Sequence, residues 1–193
     1  MTGPEIDTSG ARFRPFFNPA TGEHIRYTAV AEDNDGKFVR FNWRSVPGGV
    51  ITEHIHPHQE ERFTITAGEA RFTLNGQVHL ARAGETMVVP AGVPHSEGNT
   101  GSVDVEGTVE LHPALHSKEW HEALAGLVAD GNTDARGAPR NPLQLGATFW
   151  HFRYESRVTS PPIWVQNLLL PPLWVLAKIL GVRPYYDRWD TRT

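Results

Sequence analysis

Cysteine is absent from this 193-residue sequence, and its absence excludes disulfide bonds, thiolate metal ligands and a cysteine nucleophile together. Basic residues are also too few to indicate a nucleic-acid partner. The chain has 18 Lys and Arg against 22 Asp and Glu, a formal net charge of −4, whereas nucleic-acid-binding domains carry a clustered basic face. We therefore expect no nucleic-acid partner and no disulfide-stabilised scaffold.

The first ten residues, MTGPEIDTSG, lack both a basic start and an apolar run, which are two marks of a secretory signal peptide. Together with the missing cysteines, this predicts a cytoplasmic protein. The Gly, Pro, Ser and Asp content of these residues predicts a disordered or loosely docked arm. The chain length suits one domain with an extension and is sufficient for a sizeable hydrophobic core.

Four candidate metal ligands stand out in the middle of the sequence. His54 and His56 are two positions apart, so on a β-strand their side chains project from the same face. Glu61 follows shortly after, and His95 lies beyond a predicted hairpin whose turn, Asn75-Gly76, is a strong two-residue signal. Three imidazoles and one carboxylate suit a borderline divalent metal such as iron, manganese, nickel, zinc or copper.

Two sequence motifs contain these four residues. The first motif reads Gly48, five residues, His54-Ile55-His56, four residues, Glu61, six residues and Gly68. The second motif reads Gly84, five residues, Pro90, one residue, Gly92, two residues, His95, three residues and Asn99. With a spacer of fifteen residues between them, the pair resembles the two motifs of the cupin superfamily.

The resemblance implies a mainly β fold, namely a cupin barrel (a double-stranded β-helix or jelly roll) with C-terminal helices. It also implies that the three histidines and Glu61 bind one divalent metal ion. We expect an N-terminal arm over residues 1–23, the barrel over 24–112 and a helical extension over 113–193. The extension resembles those of some uncharacterised bacterial cupin proteins.

Two residues inside the first motif compete with this ligand set. Glu60 is an alternative to Glu61, because a spacing of three residues after His56 also occurs in the family. The six-residue gap to Gly68 favours Glu61. His58 shares the strand parity of His56 and is a conceivable fifth ligand or proton shuttle. The family has an exposed loop here, so we expect His58 to face solvent or to lie outside the ligand sphere.

Glu106 and Glu110 are candidate catalytic residues, with Glu61 as the third carboxylate that we assign to catalysis. They lie on a later predicted strand, opposite an apolar row that contains Val105 and Val109. If the carboxylates look inward, either one could act as a general base beside a metal-bound substrate. The alternative is a solvated outer face of the barrel.

Alternating apolar residues predict the core of the barrel. Several of them share the parity of Glu61, so apolar groups would surround the metal and limit the access of water. The predicted inward residues are Val39, Phe41, Trp43, Phe63, Ile65, Ala67, Ala70, Phe72, Leu74, Val78 and Leu80.

The C-terminal extension begins with a predicted helix that has Ser117 as its cap and Gly131 as its end. Its apolar residues at helical spacing are Trp120, Leu124, Leu127 and Val128. Residues 132–142 form a polar connection. The following uncharged, tryptophan-rich segment contains Pro171-Pro172, which predicts two short helices rather than one.

These two helices are predicted near Ile163 to Leu170 and Leu173 to Leu180, with Gly181 as the stop signal. Their large apolar side chains need cover from the barrel, a second subunit or lipid. We expect them to pack on protein and to help close the metal pocket. Peripheral membrane contact through residues 160–182 is the alternative.

The function hypothesis is a metal-dependent enzyme that acts on a small, fairly apolar organic substrate. The apolar wall favours dioxygenase-type chemistry on an aromatic or polyketide-like molecule. A metal-dependent isomerase, epimerase or cyclase is one alternative, and a non-catalytic small-molecule-binding module is another, because one fold hosts many chemistries. We also expect a homodimer in which Phe13 to Phe17 or the C-terminal apolar segment crosses the interface.

Overall fold

The fold, taken from a computed structural model, is described for residues 12–193. The arm predicted over the first ten residues therefore lies outside the described part of the chain. Two antiparallel sheets face each other, and side chains from both meet in one hydrophobic core. Across the core, the rings of Phe63 and Phe72 lie 4.9 Å apart. The predicted mainly β, jelly-roll barrel is confirmed.

The first sheet has six strands. They are β1 (Phe16–Asn18), β2 (Glu23–Ala29), β3 (Val39–Ser45), β5 (Glu60–Ala67), β8 (Thr86–Val89) and β10 (Val105–His112). Their order across the sheet is β1-β2-β3-β10-β5-β8. Alternate residues of β3, β5 and β10 point inward because strand side chains have a period of two. Val39, Phe41 and Trp43 are buried as predicted, as are Phe63 and Ile65.

The second sheet has five strands. They are β4 (Val50–Ile55), β6 (Glu69–Leu74), β7 (Gln77–Arg82), β9 (His95–Gly98) and β11 (Arg157–Val158), and their order is β11-β4-β9-β6-β7. Both β1 and β11 lie outside residues 24–112. The segments that flank the predicted barrel therefore each contribute a strand to its sheets.

The predicted turn at Asn75-Gly76 joins β6 to β7, and both residues have positive φ angles of 47° and 78°. This backbone twist matches that of the flanking strands. The prediction that Val78 and Leu80 face inward is wrong. The two-residue turn pairs Val78 with Thr73 and Ala81 with the buried Ala70. The odd-numbered residues of β7 therefore take the inward positions, and Val78 and Leu80 point outward. As β7 is an edge strand, both residues are about half exposed, at 52% and 48%.

Helix α1 (Ser117–Ala129) lies where the helical spacing predicted it. Gly131, at a φ of +71°, follows its end, and the amides of Gly131 and Asn132 bond back to the last turn at 3.0 and 3.1 Å. The prediction of Ser117 as the cap is wrong, because His116 occupies that position. The Ser117 hydroxyl accepts a hydrogen bond from Gln59 instead, at 2.7 Å.

Helix α2 (Pro142–His151) was not predicted. Its N-cap, Asn141, is a residue type typical of helix starts and could have indicated it. The Asn141 side chain accepts a hydrogen bond from the Leu143 amide at 2.9 Å. Helix α3 spans Ile163–Ile179 without a break. The prediction of two short helices is therefore wrong. Pro171-Pro172 removes two backbone donors, but α3 packs along α2 and tertiary contact outweighs that local cost.

Gly181 ends α3 as predicted, with a φ of +75°. One face of α3 covers α2, and the opposite face is apolar and open: Trp164, Leu168 and Ile179 are 70%, 66% and 74% exposed. The apolar side chains of α3 were expected to pack on protein, and within one chain these three do not. Among the described residues, no helix combines the length and the apolar character needed to cross a membrane.

Candidate metal centre

Three strand segments bring the four predicted ligands together. His54 lies near the end of β4, directly opposite His95 at the start of β9. The chain then turns through residues 56–59 into β5, where Glu61 shares the inward parity of Phe63. One ligand atom from each of these residues lies within 4.8 Å of the others. The four side chains are between 0 and 8% exposed.

Each imidazole is held by a backbone carbonyl at its Nδ1 atom. The distances are 3.0 Å from His54 to Thr52, 2.5 Å from His56 to Glu155 and 2.8 Å from His95 to Val93. A carbonyl oxygen only accepts, so each Nδ1 carries the hydrogen and each Nε2 of a neutral ring carries a lone pair. This arrangement is typical of metal-binding histidines, whose second nitrogen donates to a carbonyl or carboxylate.

The Nε2 atoms and the Glu61 carboxylate converge on one point. Nε2 of His54 lies 3.2 Å from Nε2 of His56, and Oε2 of Glu61 lies 3.1 Å from Nε2 of His95 and 3.4 Å from that of His56. Ligands about 2.0–2.2 Å from one ion lie roughly 3–3.5 Å apart. Facing lone pairs repel one another unless a cation lies between them, so the donor set fits a divalent metal ion.

The electrostatics of the cluster favour a neutral His54 and an ionised Glu61, which are the forms that bind metal. Burial, reinforced by the neighbouring His56 and His95, lowers the pKa of His54 to about 3, so this ring is neutral at physiological pH. Burial alone would raise the pKa of Glu61, but the adjacent histidines outweigh it and hold the pKa well below its usual range. Burial likewise opposes charge on His56, and the Glu61 carboxylate raises its pKa above the ordinary value.

The competing residues of the first motif lie away from the cluster. Glu60 is half-buried and accepts a hydrogen bond from Arg62 at 2.6 Å, so the structure favours Glu61 as the carboxylate ligand. His58 is exposed, and its ring lies 5.5 Å from that of Tyr154. It faces solvent, as expected.

Glu106 and Glu110 do not line the candidate site. The buried side of β10 contains Val105 and Val109, and the two carboxylates point to the outer face of the first sheet. Glu110 is engaged there by Arg40 at 2.5 Å and by His112 at 2.8 Å. The solvated-face alternative therefore describes their position, and the inward alternative does not.

Two buried carboxyl groups near the cluster, those of Glu97 and Glu23, were not predicted from the sequence. Glu97 is 2% exposed, and its Oε2 atom has no hydrogen-bond partner among the described residues. Burial raises its pKa well above the usual range, and Glu61 and Glu23 reinforce the shift. Burial also raises the pKa of Glu23 to about 7, although Trp43 donates to it at 2.7 Å. Glu97 lies two positions after His95, so on one strand both side chains point to the same face. This spacing was the signal that could have identified Glu97.

The C-terminal extension contributes to the ligand environment through Glu155. Its backbone carbonyl accepts from His56, and its side chain is buried, with Oε1 accepting from the His116 amide at 3.3 Å. Strand β11 follows directly and pairs with His54 and Ile55. A backbone acceptor has no sequence signature, which is why this contact was missed.

A family model for the cupin domain matches residues 41–112, which include all four ligands and the strands that carry them. Residues 41–112 therefore form a cupin domain. The expected resemblance is thus confirmed, and the unit over 41–112 is the cupin domain of this protein.

Curated relatives match this chain over about a third of its length. Protein SchB of Streptomyces halstedii is 37% identical over 67 residues, which are 35% of this chain and 49% of SchB. A mannose-1-phosphate guanylyltransferase of Salmonella montevideo is 37% identical over 60 residues, or 31% of this chain and 13% of that protein. The matched part thus spans about half the length of SchB and much less of the transferase.

A solved structure from Thermotoga maritima, described as a predicted oxalate decarboxylase, has a similar fold. Its TM-score is 0.49 at 23% identity, over 57% of this chain and 99% of that one. The guanylyltransferase and the predicted oxalate decarboxylase are named for unlike activities.

Proposed function

We propose that the protein is a metal-dependent cupin enzyme that acts on a small, fairly apolar organic substrate by dioxygenase-type chemistry. One observation carries the proposal: three imidazoles, each held by a backbone carbonyl at its Nδ1 atom, and the Glu61 carboxylate converge in a buried site. Four protein ligands leave one or two positions on a five- or six-coordinate ion for a substrate or a small co-reactant. When bound, the ion supplies Lewis-acid or redox chemistry at those positions.

The aromatic interior of the cupin domain supports an apolar substrate. Phe63 follows Glu61 on the same face of β5, and its ring lies 5.6 Å from Trp43 and 4.9 Å from Phe72. All three rings are at most 3% exposed. Such walls exclude water and lower the local dielectric, which strengthens each polar interaction at the ligands.

The chain's own polar groups would then position the reactants and the protons. His54, His56 and His95 present their Nε2 atoms because backbone carbonyls hold their Nδ1–H groups. Glu61 supplies the negative charge of the ligand set. Glu97 would hold a proton on its unpartnered Oε2 atom, since burial disfavours its ionised form.

A metal-dependent isomerase or epimerase is the second candidate, and Glu97 is the observation that favours it. A buried carboxyl beside the candidate ligands, with one oxygen that has no hydrogen-bond partner among residues 12–193, suits reactions that move a proton within one substrate. The two candidates differ in their need for oxygen. A dioxygenase consumes O₂ with each turnover, whereas an isomerase works equally well without it.

The test is oxygen uptake by protein reconstituted with Fe(II), measured against a panel of small aromatic and enol-containing compounds. We expect substrate-dependent uptake in the wild type, its loss in His54→Ala, and its retention in Glu106→Gln, which changes an outward carboxylate. Product formation without oxygen uptake, also lost in His54→Ala, would support the isomerase instead. Substrate binding without turnover under either condition would favour a binding module and contradict both enzymes.

A further inference from the structure

Helix α3 presents an apolar surface to the outside of the molecule and a polar residue to the inside. Gln166 is 5% exposed, and its side-chain amide donates to the carbonyls of Val158 and Pro161 at 2.8 and 2.6 Å. The solvent-exposed surface of the helix carries large apolar groups that are between 45 and 74% exposed. We call this side the α3 apolar face: Trp164, Leu168, Leu169, Leu176, Ile179 and Leu180. A surface of this kind marks an interaction site.

A cationic cleft lies beside the first turn of α3. It has a volume of about 450 Å³, and Arg153 and Arg157 line it together with Ile163 and Asn167. Arg153 stacks on the Tyr154 ring at 4.1 Å, and Arg157 bonds to Asn167 at 2.9 Å. Within residues 12–193, neither guanidinium forms an ion pair with a carboxylate.

The charge on α3 itself is entirely positive. The helix contains no Asp or Glu, and its one charged residue is Lys178, which lies 4.9 Å from the Trp174 ring and has no carboxylate partner in the described part of the chain. Elsewhere, most arginines near the sheets and α1 are paired, as Arg40 is with Glu110. Burial and the nearby Arg153 lower the pKa of Arg157, which shows that the two cations in the cleft repel each other. An anion would relieve that repulsion.

The backbone of α3 favours a wet environment on its open side. Pro171 and Pro172 have no N–H group, so they cannot bond to the carbonyls of Asn167 and Leu168 one turn earlier. A dry protein interface over Leu168 would leave such a carbonyl buried without a donor, which is unfavourable. The headgroup region of a membrane contains water that can donate to it.

We propose that the α3 apolar face and the cationic cleft together form a docking site for an anionic phospholipid surface. In this arrangement α3 lies in the plane of the membrane. The side chains of Trp164, Leu168 and Ile179 reach the acyl boundary, and the backbone of α3 stays at the level of the hydrated headgroups. Arg153 and Arg157 bind a lipid phosphate in the cleft, and Lys178 contacts the headgroups nearby. The inference is independent of the proposed function, because none of these residues belongs to the metal centre.

The test is sedimentation with phospholipid vesicles, using the full-length protein. Vesicles of phosphatidylcholine alone are compared with vesicles that contain about 30 mol% phosphatidylglycerol. We expect stronger binding to the anionic vesicles. Arg153→Gln/Arg157→Gln should weaken that binding about 20- to 30-fold. Arg136→Gln/Arg140→Gln changes the net charge equally at two exposed positions outside α3 and the cationic cleft, and it should retain nearly all binding.

The apolar part is tested with Leu168→Gln/Ile179→Gln, which should abolish binding to both vesicle types. Its matched control is Val78→Gln/Leu80→Gln, because these residues are similarly exposed on the distant edge strand β7. Unchanged thermal unfolding in each variant confirms that the fold is intact. Wild-type protein that binds neither vesicle type overturns the proposal, and equal binding to neutral and anionic vesicles overturns the role of the cleft.

Tryptophan fluorescence gives a second readout. Trp164 is 70% exposed in the free protein, so on binding we expect a blue shift and quenching by lipids brominated near the headgroup end of the acyl chain. Trp164→Phe should lose most of this quenching. If light scattering instead shows a stable dimer that Leu168→Gln/Ile179→Gln dissociates, and no vesicle binding occurs, a second copy of the chain covers α3 and the lipid proposal is wrong.

Discussion

At the scale of single residues, Glu23 shows how the barrel interior opposes charge. Its side chain is 8% exposed, and burial raises its pKa from 4.5 to about 7. The folded protein therefore holds a proton that the unfolded chain releases between these values. Stability from this group is fully present below pH 4.5 and is lost as the pH rises through 7.

We predict that Glu23→Gln removes the part of the stability loss at rising pH that comes from ionisation of Glu23. Glutamine keeps an acceptor for the Trp43 indole N–H but cannot ionise. Between about pH 5 and pH 8, the wild type should lose about 2–3 kcal/mol more unfolding free energy than the variant, as measured by urea titration at each pH. Glu106→Gln, at an exposed position, serves as the control. Parallel pH profiles for wild type and Glu23→Gln would mean that Glu23 does not titrate as described.

Glu155 is the residue through which the extension acts on the metal ligands. Glu155→Ala removes the buried carboxylate that accepts from the His116 amide, so the carbonyl that orients His56 loses its anchor. Loss of such outer contacts weakens metal affinity about 10- to 100-fold. We expect a decrease in this range for Glu155→Ala in a competition titration with a chelator.

Glu53→Ala is the matched control for that titration. Glu53 also ties the extension to the barrel, by accepting from the Thr159 hydroxyl at 2.6 Å, but it does not contact a ligand. Its metal affinity should stay within about threefold of the wild type. Equal affinities for Glu155→Ala and the wild type would show that the His56 contact does not depend on this side chain.

At the scale of elements, α2 and α3 are in contact through a glycine. A Cβ atom at Gly146 would lie 2.4 Å from the Leu173 Cβ and 2.9 Å from the Trp174 nitrogen. Backbone atoms cannot move aside as a flexible side chain can, so Gly146→Ala must separate the helices. We predict a loss of about 1–3 kcal/mol in unfolding free energy, measured by denaturant titration. A variant as stable as the wild type would contradict this close packing.

The predictable elements are those with a local signal. Asn75-Gly76 marks its hairpin, and Gly131 and Gly181 mark helix ends, because a positive φ is unfavourable for most other residues. The predictions that failed depend on tertiary context. Pro171-Pro172 would break an isolated helix, but α2 supports one continuous α3, and Val78 is exposed because β7 is an edge strand.

In the candidate site, too, the residues with a local sequence signal were predicted, and the contacts that depend on tertiary structure were not. Its four candidate ligands lie in two short motifs, and the resemblance of these motifs to those of the cupin superfamily predicted them. Glu155 reaches His56 from 99 positions away through a backbone atom, and no residue pattern predicts such a contact. Glu106 and Glu110 were ambiguous because an alternating strand shows two faces but does not show which one looks inward.

At the scale of the whole molecule, the expected homodimer remains a prediction, with a narrower choice of surface. Phe13 is 2% exposed and packs against Tyr27 of its own chain, so it is not free to cross an interface. Phe17 and the exposed residues of β7 remain available. We predict a mass of twice 21.5 kDa by light scattering, unchanged in Leu168→Gln/Ile179→Gln. A single-chain mass at micromolar concentrations would exclude the dimer.

The central claim is that His54, His56, Glu61 and His95 hold one divalent metal ion, and elemental analysis tests it most directly. Protein purified from its own host should contain close to one iron, manganese, nickel, zinc or copper ion per chain. Glu61→Gln should lose most of this metal, whereas Glu60→Gln, at a half-buried residue paired with Arg62, should retain it. A metal-free wild type, or equal metal in both variants, would contradict the account.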